Sequence, residues 1–90
     1  MKRCRSDLNQ STIVRQLRRA GCSVVVVSHA AHGFDLLVGT AGVNYVVEVK
    51  QPGEKANLTA HERAMEESWR GSYMVVDSAD DFLQQAGLIV

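Results

Sequence analysis

The chain has 90 residues and a mass of 9.9 kDa, with 46 % apolar and 22 % charged residues, and its ten basic side chains balance its ten acidic ones. This is enough for one domain, residues 1–90, with a core of modest size, and it excludes a disordered chain, a collagen repeat and a coiled coil. The longest aliphatic run, Val24 to Val27, falls far short of the ~20 residues of a membrane span, so no membrane association is expected. No apolar stretch follows the basic start as in a secretory signal. Cys4 and Cys22 make no disulfide framework, so a reduced, cytoplasmic setting is expected.

The charge is unevenly spread. Residues 1–20 carry Lys2, Arg3, Arg5, Arg15, Arg18 and Arg19 against Asp7 alone, whereas residues 51–90 carry seven acids against three bases. A basic first third suits contact with phosphate.

In chain order, the spacing of Ile13, Val14, Leu17 and Ala20 predicts a helix over Asn9 to Ala20, closed by Gly21. Cys22 to Ser28 is β-branched and reads as a buried strand. His29 to Gly33 is a loop. Phe34 to Val38 and Asn44 to Lys50 are two strands of an antiparallel hairpin, with a four-residue loop at Thr40 to Val43 that pairs Gly39 with Asn44. A polar loop, Gln51 to Asn57, follows. Thr59-Ala-His-Glu62 is a capping box, opening a helix that runs to about Arg70 with Leu58, His61, Met65 and Trp69 on one face. Met65 and Trp69 are expected in the core. Ser72 to Val76 is a fourth strand, and Ser78 caps a last helix that buries Phe82, Leu83 and Ala86. Strands interleaved with helices in this way give an α/β domain with a mixed sheet.

Side chains alternate faces along a strand. The hairpin register places Asp35 opposite Glu48 on one face, with Lys50 two residues further on that face. Like charges in that position destabilise a hairpin. Lys50 offsets part of the repulsion and a divalent cation offsets more, because Mg²⁺ takes hard oxygen ligands from one or two carboxylates plus substrate phosphate. His29, His32, Cys4 and Cys22 lack the spacing of a structural zinc site. The glycines at Gly39 and Gly42 lack that of a phosphate loop, and no organic cofactor is indicated.

Gly33-Phe-Asp35-Leu-Leu-Val-Gly39, Val47-Glu48-Val-Lys50, Leu58-Thr-x-x-Glu62 and Trp69-Arg-Gly71 together resemble the PD-(D/E)XK nuclease superfamily, and within it the small phage-type VRR-NUC and Holliday-junction-resolvase-like nucleases. The likeness covers about residues 7–85. It differs at Phe34, where the family usually has proline, and at Asn9, Gln10 and Thr12, which are neutral where the first helix often carries a glutamate. The resemblance implies a restriction-endonuclease-like three-layer core with αβββαβ order, and a mixed four-stranded sheet flanked by helices. It implies that Asp35 and Glu48 ligate Mg²⁺, for which Mn²⁺ substitutes, with the Val49 carbonyl as a third ligand. Lys50 would orient the attacking water, and Asn9 and Gln51 would support the site. Ser28, His29, His32, Arg15 and Arg19 are the candidate nucleic-acid contacts. The expected activity is Mg²⁺-dependent endonucleolytic hydrolysis of DNA, selective for branched or junction structures, by a homodimer. The alternative is a non-catalytic DNA-binding or protein-interaction module on the same fold.

Overall fold

The computed structural model describes residues 5–27 and 32–89, and the side chains from residue 8 onward. Helix α1 (Arg5–Arg19) begins a turn earlier than its apolar stripe requires. Strands β1 (Ser23–Val26), β2 (Leu36–Thr40) and β3 (Val43–Val49) follow. Then come helix α2 (Ala60–Ser68), strand β4 (Ser72–Val76) and helix α3 (Ala79–Gln85). The order αβββαβα agrees with the sequence expectation. Among the described residues, no helix is long and apolar enough to cross a membrane.

The four strands lie in the order β1-β2-β3-β4. The first two pairings are antiparallel and β3 with β4 is parallel, so the sheet is mixed and α2 lies in the crossover between them. Helices α1 and α3 cover one face. There Ile13, Val14 and Leu17 of α1 and Phe82 of α3 bury against Leu36, Val38, Val47, Val49 and Val76. The ring of Tyr45 meets Phe82 edge to face at 5.2 Å, a favoured aromatic geometry. The other face carries Val46, Glu48 and Lys50, with α2 held above its Lys50 end by Glu62.

The hairpin register is the expected one, with Gly39 opposite Asn44, but Thr40 also pairs with Val43. The connection is therefore the two residues Ala41 and Gly42, at φ 52° and 78°. Two successive positive φ values make a turn whose twist suits a hairpin, and Asn-Gly is the favoured pair for it. Ala41 is strained there. Replacing Ala41 with Asn is expected to stabilise the fold by about 0.5–1 kcal/mol. This would raise the melting temperature by roughly 3–5 °C; an unchanged or lower melting point would show that the turn stores no such strain.

Two expectations about burial fail. β1 is an edge strand rather than a buried one: only Val24 is covered, while Val25 and Val26 are about half exposed. Trp69 is not in the core. Helix α2 ends at Ser68, and Trp69 is its extended cap, 46 % exposed. Its indole instead covers Gly71, with Nε1 only 2.9 Å from where a Cβ would stand. Met65, expected in the core beside Trp69, is likewise outside the core cluster and only half-buried.

Candidate active site

β2 and β3 are the central strands, and their chain ends bring the charged residues together. Asp35 precedes β2. Its N–H donates to the Val47 carbonyl at 3.0 Å, although Val47 is already the partner of Leu36. Two residues on one strand thus face one on the other, which is the count of a β-bulge. The regular ladder stops at Leu36, and Asp35 does not sit squarely across from Glu48 as the alternation predicts. The bulge re-aims the side chain instead. Asp35 Oδ2 accepts from the Val49 N–H at 2.8 Å, taking the place of a backbone acceptor. The Asp35 carbonyl accepts from the Val27 N–H at 2.9 Å, which ties the edge strand to the same point.

Gly33 prepares this turn. It has φ 77°, and a Cβ there would stand 3.0 Å from Nε2 of His61. The imidazole of α2 therefore rests on a glycine two residues before Asp35.

Glu48 is 2 % exposed, in the middle of the sheet. Burial is the main reason its carboxyl is pushed up to about 9. The negative charge of Asp35, a side-chain hydrogen bond to Asp35 and the charge of Glu62 add to the shift, while Lys50 opposes it. The two carboxyl groups thus meet, as the hairpin predicts, through a bulge rather than a ladder pair.

Lys50 lies just past β3. Its N–H donates to Val76 O at 2.8 Å, which holds it against β4. Across a trans peptide the preceding carbonyl points the opposite way, so the Val49 carbonyl turns towards the Asp35 side. The Lys50 ammonium is 2.7 Å from Glu62 Oε1 and 4.0 Å from Glu48 Oε2. Its main partner is therefore Glu62, which the sequence marks only as a helix cap. Glu62 fills both roles: the same Oε1 accepts from the Thr59 N–H at 2.9 Å, and Thr59 Oγ1 accepts from the Glu62 N–H at 3.1 Å. Thr59-x-x-Glu62 was the signal available, since a capping box turns its glutamate towards the helix start, and here that start overlies Lys50.

Asn9 reaches the site from α1. Its Nδ2 donates to Lys50 O at 2.9 Å and to Asp77 O at 3.3 Å. It fastens the backbone ends of β3 and β4. Tyr73, on β4 beside Val46, is a second residue that the alternation alone does not mark. Its phenol is raised above the ordinary range by burial and by the charges of Glu48, Glu62, Glu66 and Asp35. Tyr73 Oη and Gln51 Nε2 are buried with no hydrogen-bond partner among the described residues.

The remaining candidates lie elsewhere. His32 is exposed and its ring is 6.1 Å from that of Phe34. Arg15 and Arg19 are exposed on α1, where they line a groove that no acidic side chain lines. Ser28 and His29 lie outside the described residues.

Among the described residues, no group of three or more His, Cys, Asp or Glu side chains is disposed to hold a metal ion. The donor set at the hairpin is two carboxylates with a backbone carbonyl beside them. This set fits a hard divalent cation that keeps part of its water and shares substrate phosphate. The raised Glu48 carboxyl fits it too: a cation between Asp35 and Glu48 would offset the burial penalty and the repulsion from Asp35 that together disfavour its ionised form. Comparisons with protein-family models, curated proteins and solved structures find no match to this chain.

Proposed function

We propose that the chain is a Mg²⁺-dependent endonuclease that hydrolyses DNA phosphodiester bonds, as its resemblance to the PD-(D/E)XK nucleases implies. One observation carries the reading. A bulge at Asp35 brings its carboxylate to a buried Glu48, beside Lys50 just past the end of the same strand. Asp35, Glu48 and the Val49 carbonyl would hold the cation, which when bound acts as a Lewis acid and eases ionisation of water. Lys50 places an ammonium at the open end of the strand, where it stabilises charge developing on a phosphate. Glu62 holds that ammonium in position. Tyr73 Oη and Gln51 Nε2 add neutral donors. Asn9 keeps the Lys50 backbone fixed to Asp77. A homodimer, with two such sites, suits cleavage of two strands.

A second reading, a DNA-binding module without cleavage, draws support from Lys50 lying closer to Glu62 than to Glu48. One assay separates them. A labelled four-way junction, flap, duplex and single strand are incubated with wild type, Glu48→Ala and Lys50→Ala, in Mg²⁺ or EDTA. The nuclease reading expects wild-type cleavage that EDTA abolishes and that each substitution lowers by about a thousandfold or more. Binding of DNA by folded wild type with no cleavage of any substrate would leave the module reading standing.

A further inference from the structure

Beside the edge of the sheet runs a groove with a volume of about 620 Å³, walled by α1 and closed at one side by Val26 of β1. Val14 and Val26 form its apolar floor. Arg15, Arg18 and Arg19 line it, and no acidic side chain does. We propose that this groove is a DNA-backbone track that leads the duplex to the carboxylates, a step that rests on the reading of DNA as substrate.

Three observations point there. First, the Val26 end of the groove adjoins the start of β2, next to Asp35. Val26 pairs with Leu36, the residue after Asp35, and Val27 donates its N–H to the Asp35 carbonyl.

Second, its length is right. From Gln10 to Arg19 the helix rises about 13 Å at ~1.5 Å per residue. This matches about four base-pair steps at ~3.4 Å each.

Third, the edge strand is closed to the competing occupant, an acidic peptide adding as a fifth strand. Val27 points its N–H at β2, so Val24 and Val26, in the opposite phase, turn their backbone groups to the open edge. There Arg18 Nη2 already donates to Val24 O at 2.9 Å. A strand added at β1 would have to displace that guanidinium, as an edge-blocking charge prevents. A phosphate would not, because the guanidinium has five N–H donors and this bond uses one.

The test is fluorescence anisotropy of a labelled 20-base-pair duplex in EDTA, across 50–300 mM salt. Arg15→Ala/Arg19→Ala is compared with wild type and with Arg15→Lys/Arg19→Lys. Both arginines are exposed, so circular dichroism should show an unchanged fold. Losing two phosphate contacts lowers the slope of log K against log salt by ~1.8, roughly a 30-fold weakening at 0.15 M. The lysine variant should recover the slope. Wild-type binding that the alanine variant matches in slope and affinity would overturn the track and leave the nuclease reading intact. Failure of wild type to bind the duplex, with arginine-dependent capture of an octaglutamate peptide instead, would overturn the track, while the nuclease reading stands or falls on the cleavage panel.

Discussion

In the absence of divalent cations, the protein should lose stability as pH rises from about 5 to 9, and Glu48→Gln should abolish most of that loss. The Glu48 carboxyl keeps its proton in the folded state up to about 9, against an ordinary value of 4.5. Below about 4.5 both states are protonated and the full stability is present. Between the two values the unfolded chain binds fewer protons, so each rise in pH favours unfolding, with a slope of at most about 1.4 kcal/mol per pH unit. Glutamine copies the protonated carboxyl and cannot ionise. The variant should therefore be roughly 2–3 kcal/mol more stable than wild type at pH 7. The two should converge near pH 4.5. Urea unfolding at several pH values measures this, and parallel profiles for the two proteins would refute it. Mg²⁺ should raise the melting temperature of wild type at pH 8 and leave that of Glu48→Gln nearly unchanged, since the cation stabilises the ionised form.

The second large effect belongs to Glu62. This residue is 3 % exposed and accepts from both the Lys50 ammonium and the Thr59 N–H. Removing one partner of a buried ion pair leaves an uncompensated charge, so Glu62→Ala should cost about 3 kcal/mol. Thr59→Ala removes only the reciprocal cap and should cost about 1 kcal/mol. The difference between the two isolates the Lys50 pair. A Lys50→Met/Glu62→Leu double variant should recover most of the loss, because an apolar pair of similar volume needs no desolvation of charge. If Glu62→Ala costs no more than Thr59→Ala in urea titrations, the ion pair contributes nothing to folding.

Much of this was legible in the residues, and the misses have physical causes. The register followed from Gly39 and Asn44 flanking a short turn, and that register brought Asp35 near Glu48. The bulge was not legible, because the alternation of side chains assumes one residue against one. Asp35 breaks that count by offering its carboxylate to the Val49 N–H. The run Val24 to Val27 reads as buried on both faces, yet sheet order places it at an edge, and order depends on the whole topology. Trp69 fits the helical spacing of Leu58 and Met65, but the chain leaves the helix at Ser68 and the ring goes to Gly71. The Glu62 role was hidden for a similar reason: one capping box satisfies the local pattern, and its contact with Lys50 joins residues 12 apart.

The weak seating of α2 has a consequence for how the two halves of the molecule respond to the loss of a charge. Glu62 is its only buried residue. β3, by contrast, is bonded to a strand on both sides. The crossover helix is thus latched to the sheet by a charge pair rather than by an apolar seam, and elements with few buried apolar contacts open before the rest. Because the pair is buried, ions screen it little; it slackens instead when substitution removes either partner, whereas the strand that carries Glu48 stays bonded on both sides. Loss of one charge therefore acts on the cover of the site and leaves its floor in place.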